Sequence, residues 1–176
     1  MSQDMTDYTL MAGNNRWSNA RLHAACAALQ PGEWEAPRVG FFPSLSLTLH
    51  HLQAVDSYYI DALTEGGLGR RAYGEALVAA TRKDLSKAQE ALDERLIAFC
   101  RALTPDRATT RLMMDRGAAG RVTERIDHTL LHLFQHQVHH RGQAHAMLSS
   151  TSVKPPQLDD FFLDWERDSA AQRYFA

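Results

Sequence analysis

The chain has almost no cysteine: Cys26 and Cys100 are the only two in 176 residues, and neither belongs to a CxxC pair. That scarcity excludes a disulfide framework and a thiolate metal cage, and both thiols read as small apolar packing groups. A metal ion held here would have to rely on imidazole and oxygen. Long apolar runs are also missing, and no stretch of about 18 apolar residues exists that could span a bilayer. The opening MSQDMTDYTL has neither the basic n-region nor the apolar h-region of an export signal, so the expectation is a soluble, cytosolic protein with no membrane partner. Charge of one sign is absent too. Nineteen Lys and Arg stand against 21 Asp and Glu, a net charge of -2 with the signs interspersed, which provides no basic footprint for nucleic acid. Small molecules or protein partners remain.

An apolar content of 44% in a chain of this length fits one globular domain over 1–176, without repeats or linkers. Periodicity and the lack of internal proline predict helices over 6–29, 44–64, 75–103 and 122–149. The breaks are QPGEWEAPRVGFFP (30–43), the glycine turn EGGLGR (65–70) and TPDR (104–107). Ser44 suits the N-cap of the second helix. TTRLMMDRGAAGRV (109–122), with β-branched and apolar residues around a glycine turn, suggests a short β-hairpin over the helices. Beyond Ser149 the chain passes Pro155 and Pro156 into an aromatic stretch, expected to fold back as a short helix across an open end of the core. The fold class is therefore all-α, a four-helix bundle.

Six of the nine histidines fall within HTLLHLFQHQVHHRGQAHAML, residues 128–148. On an ideal helix turning about 100° per residue, His136 and His140 share an arc with Ile126, Leu133, Ala144 and Met147. His128, His132 and His139 point elsewhere, beside Gln135 and Gln143, and read with His145 as rim or solvated residues. On the second helix, His51 falls with Leu47, Val55, Tyr58 and Ala62 and points inward. His50 falls with Ser46, Gln53, Ser57 and Asp61 and points outward. Three inward imidazoles cannot all satisfy one another, and a divalent cation resolves the conflict. His136 and His140 lie one turn apart and reach one metal, with His51 as third ligand and a position left open. An HxxxH pair alone favours packing or hydrogen bonding over metal, and the third histidine brings the two readings level. With Gln137 inside the pair, this is not the HExxH of zinc proteases. His23, on the first helix, has no evident partner.

HQVHHRGQAHAML resembles the HxxxHRGQ signature of the DinB-like (YfiT-like) family, and LHHLQAVDSYYIDAL is similar to that family's H-x4-D-x2-aromatic segment. NNRWSNARLHAACAAL, FFPSLSLTLHHL and VKPPQLDDFF resemble its opening helix, its approach to the second helix and its tail, so nearly the whole chain is covered in order. The resemblance implies an up-down-down-up bundle holding a divalent metal, commonly zinc or nickel, on His51, His136 and His140. It leaves His139 outside the triad and places Asp56 and Arg141 at recurring positions. Those two would support the bundle or the metal's surroundings, and a surface or interhelical ion pair fits them equally. Asn14 departs from the family, whose members often carry an aromatic there.

The resemblance further implies a metal-dependent enzyme of thiol-dependent transferase or hydrolase type, acting on an unidentified small molecule such as a thiol; around the three inward histidines, Asp56, Tyr58, Tyr59 and Gln143 are candidate helpers, and no catalytic residue is assigned. It implies no DNA-binding activity. A non-catalytic metal-binding bundle is the alternative, as is a protein whose role lies in association. Homodimers are common among relatives, and LHAACAAL and LVAATRKDL present small apolar faces for one.

Overall fold

In the computed structural model of the chain, which describes residues 6–76 and 81–175, helices α1 (Thr6–Ala27), α2 (Leu45–Leu63), α4 (Arg82–Ala102) and α6 (Ile126–Leu148) are long. Shorter elements connect them: α3 (Arg70–Ala76), α5 (Pro105–Ala108), and strands β1 (Arg111–Asp115) and β2 (Arg121–Arg125). A 3-10 helix covers Ser169–Tyr174. No helix among the described residues is long and apolar enough to cross a membrane.

Side-chain pairings fix how the long helices run. Arg16 on α1 meets Glu90 and Glu94 on α4, and Arg82 reaches the Cys26 carbonyl, so α1 and α4 are antiparallel. Thr48 lies against Met147 and His51 against His136, so α2 and α6 are antiparallel too. Gln53 donates to the Leu85 carbonyl and Arg95 to Thr64, making α2 and α4 parallel, joined by the crossing that contains α3. Two large apolar clusters fill the interior, beside a smaller one of Trp17, Phe161 and Ala171. One holds Leu22, Leu45, Leu49, Leu52, Leu85 and Met147, the other Ile60, Leu96, Leu130, Leu133 and Phe134. Each such side chain contributes about 1.5–3 kcal/mol by leaving water.

The helix ends follow local chemistry. Pro31 and Gly32 stop α1 from continuing. Ser44 is extended (φ -160°, ψ 162°), and its Oγ accepts from the Leu47 amide, as expected of an N-cap. Ser44→Ala should therefore cost about 1 kcal/mol, readable as a lowered urea midpoint with an unchanged slope. Thr81 caps α4 in the same way, accepting from Asp84 N while its hydroxyl donates to the Asp84 carboxylate.

Four expectations need correction. The helix expected over 75–103 is two helices, α3 and α4, with 77–80 outside the described residues. The last long helix begins at Ile126 rather than 122, because β-prone Val122 and Thr123 pair with β1, in a register running from Arg111↔Arg125 to Asp115↔Arg121. The hairpin thus lies over 111–125, slightly beyond the predicted 109–122. The tail does fold back onto α1, where Phe161 packs on Trp17 with ring centroids 5.7 Å apart, but the aromatic stretch is a series of turns and the helical turn comes later, at 169–174.

Candidate metal centre

A layer of polar side chains separates the two apolar clusters, and all four long helices contribute to it. Arg141 (α6) donates to Asn15 and Asn19 (α1) and, at 3.1 Å, to Gln137 (α6). The two asparagines donate onward to Asp93 (α4) at 3.1 and 3.0 Å. Gln89 (α4) donates to Asp93 at 3.3 Å and to Asp56 (α2) at 2.7 Å, and Gln137 closes the circuit by donating to Asp56. Every member is buried. Dry surroundings push Asp93 up to about 8, helped by the neighbouring charge of Asp56, and push Asp56 up to about 7 against its amide donors. Burial lowers Arg141 to about 10, which leaves it a cation at neutral pH.

A sign follows for pH. Asp93 holds its proton more tightly folded than unfolded, so its contribution to stability is complete below about pH 4 and is lost as pH rises through about 8. Stability measured in urea at a series of pH values should decline across that window, and Asp93→Asn should flatten the decline. An unchanged slope in the variant would assign the titration to another group.

At the level of this layer, on its outer edge between α2 and α6, the three expected histidines come together. Their potential ligand atoms all lie within 4.8 Å of one another. His51 Nε2 and His136 Nε2 are 3.1 Å apart, close to the roughly 3.3 Å that two ligands span on a tetrahedral ion with bonds of about 2.0–2.1 Å. Burial and mutual proximity push His51 down to about 4 and His136 to about 3, and burial lowers His140 as well. All three are neutral at pH 7, the state in which imidazole offers a lone pair. His140 Nδ1 lies 2.9 Å from the Gln143 Oε1 acceptor, which holds the proton on Nδ1 and frees Nε2. His136 Nδ1 is buried with no hydrogen-bond partner among the described residues.

The wheel reading needs adjustment on α2. His51 and His136 are half-buried rather than in the core, and Leu47 on the supposed inward arc is exposed. Gln53 and Asp61, assigned outward, are buried. Each is satisfied: Gln53 by the Leu85 carbonyl, Asp61 by the Leu68 and Gly69 amides at 3.0 Å. His50 is half-buried, with Nδ1 2.8 Å from the Ser46 carbonyl. His128, His132 and His139 are exposed. His145 is half-buried and pins the tail at the Pro156 carbonyl. His23 is buried with no hydrogen-bond partner among the described residues, and burial lowers it to about 4. Both cysteines are buried and free, their thiols pushed up to about 12.

Of the candidate helpers, Gln143 touches a triad member. Asp56 and Arg141 instead belong to the polar circuit, and Tyr58 and Tyr59 hold the hairpin, through the Asp115 carbonyl and the Arg116 guanidinium respectively. Asn14 lines a crevice between α1, α6 and the tail, away from the three histidines. Sequence reasoning missed two neighbours. The Phe42 ring stands 4.3 Å from His51 and 5.7 Å from His140, and Tyr73 Oη lies 3.5 Å from His51 Nδ1. Phe42 carried a signal, its place just before the capped start of α2. Tyr73 carried none, because its short helix was not foreseen.

No curated protein matches the chain. The DinB family matches residues 1–173, and the chain belongs to that family.

Proposed function

We propose that the protein binds a divalent cation, zinc or nickel, on His51, His136 and His140 and uses it as a metal-dependent transferase or hydrolase acting on a small molecule, a thiol-dependent reaction being the favoured type. The observation that carries this reading is the donor set: three neutral imidazoles from two helices, joined by no carboxylate or thiol among the described residues. A structural ion is usually held by four protein ligands, whereas catalytic sites keep a position for water or substrate. When bound, such an ion acts as a Lewis acid and lowers the pKa of a coordinated water or thiol toward neutrality. The protein's own part is orientation. Gln143 fixes the His140 tautomer, Phe42 shields one flank of His51 and His140, and the polar circuit holds α2 and α6 at one relative height. Their arrangement supports an up-down-down-up four-helix bundle as the scaffold.

Elemental analysis of protein purified without a polyhistidine tag should find about one divalent ion per chain, and His51→Ala, His136→Ala and His140→Ala should each lose it. Retention of the ion in all three variants would end the proposal. A cytosolic setting and a homodimer complete the reading. Leu131 and Val138, exposed seven residues apart on α6, support association, whereas Leu22, Leu29 and Leu85 of the segments expected to mediate it are buried within the chain. Sedimentation at micromolar concentration tests the dimer, and a monomer there removes it.

A further inference from the structure

Beside the three histidines, between α2, α3 and the hairpin, lies a hollow of about 220 Å³ whose walls include the rings of Tyr58, Tyr59 and Tyr73 and the side chains of Arg70 and Arg116. One wall residue borders the triad directly and another reaches toward it through His132. Tyr73 approaches His51, and the Tyr59 ring stands 5.1 Å from His132, itself 6.2 Å from His136. Phe42 also borders His51, with ring centroids 4.3 Å apart, and the hollow that Tyr73 lines offers free space beside that imidazole.

The two guanidiniums are poorly neutralised. Arg116 sits over Tyr58 and Tyr59 at 5.8 and 5.7 Å from the ring centroids and donates to Tyr59 Oη at 3.2 Å, but its nearest carboxylate, Glu124, is 3.9 Å away. Arg70 has a long 3.5 Å contact with the Arg116 carbonyl and no ion-pair partner among the described residues. Its side chain lies across Gly117, where an added Cβ would fall 2.7 Å from it and where φ is +64°. Asp115, the one acid in the wall, has an oxygen engaged by the Gly117 amide. Planar guanidiniums match a carboxylate bidentately, and the aromatic rings hold Arg116 in place before any ligand arrives. A dianionic phosphate would meet the charge of Asp115 more strongly than a monoanion would.

We infer that the substrate of this site carries a carboxylate, bound by Arg70 and Arg116 in the tyrosine-walled hollow while its reacting end lies at the three histidines. The inference rests on the metal reading above, and its test separates the two. Cobalt(II)-loaded protein, titrated with ω-mercaptoalkanoic acids of two, three and four carbons and with their methyl esters, reports thiolate binding through its visible absorption. After correction for thiol ionisation, the best-fitting acid should bind about tenfold tighter than its ester. In Arg70→Gln and Arg116→Gln that preference should fall to within about twofold while ester binding is unchanged. Equal binding of acid and ester, or a preference surviving both substitutions, overturns the inference. Should Arg116→Gln fail to fold, exposed Arg70 decides alone.

Failure to take up cobalt defeats the metal reading only. In that event the acids are added to metal-free protein and the Nε–H signals of both arginines are followed by NMR. Displacement by acid but not by ester sustains the carboxylate site, and signals unmoved by either overturn it.

Discussion

Arg141→Met should lower the unfolding free energy by about 3–5 kcal/mol, a large share of the roughly 5–15 kcal/mol that keeps a domain of this kind folded. Arg141 is the cation of the buried circuit, and its Nη1 alone serves Asn15, Asn19 and Gln137. Removing it leaves amide oxygens unpaired and two carboxyl groups without a countercharge in a dry interior. The loss should be greater at pH 8 than at pH 5, because protonation of Asp93 relieves part of the imbalance. Arg141→Lys should not restore the parent value, since a compact ammonium on a different stem cannot reproduce the planar fork. Urea unfolding with coincident fluorescence and circular dichroism transitions measures both. A methionine variant within about 1 kcal/mol of the parent would show that the circuit is not what holds the four helices together.

Divalent ion at a thousandfold excess over its dissociation constant should stabilise the parent protein by about 4 kcal/mol, which for a chain of this size raises the melting temperature by about 8–16 °C. His136→Ala should abolish that rise. The expected behaviour of the metal-free variant differs from that of an ordinary core truncation. His136 carries a buried Nδ1 with no partner among the described residues, so its removal deletes a desolvated polar atom along with its packing, and the metal-free melting temperature should move by only a few degrees. A parent protein whose melting temperature ignores zinc, nickel and cobalt alike would contradict both the stabilisation and the site.

The histidine cluster was legible because two independent regularities agree: His136 and His140 repeat at one helical turn, and His51 lies on the arc of α2 that faces them. The capped start of α2 was legible as well, since Ser44 follows Pro43 and precedes a leucine-rich run. The hairpin could be placed from its glycine turn but not bounded, because Arg121–Arg125 is compatible with strand or with the first turn of a helix until β1 is beside it. The polar layer escaped detection for a physical reason. Periodicity sorts side chains by hydropathy, so Gln53 read as solvent-facing, whereas it is buried against the Leu85 carbonyl of another helix, and nothing local marks Asn15 and Asn19 as partners of Asp93, more than seventy residues away. Local pattern cannot reveal a donor supplied by another helix. Tyr73 and Arg116 stayed invisible likewise, since their relation to His51 and Tyr59 exists only once the crossing and the hairpin are folded down.

Gln137 sits between His136 and His140 on α6 yet is turned about 100° from the first and about 60° from the second, into the circuit, where it bridges Arg141 and Asp56. It therefore works like an indexing pin on a shaft. Rolling α6 by a single residue would pull the amide from its seat before either imidazole had drifted far, so errors in aim are penalised by the chassis itself. Arg70 lies outside that circuit, exposed and with no ion-pair partner among the described residues, so it can be exchanged while the pinned rods keep their aim.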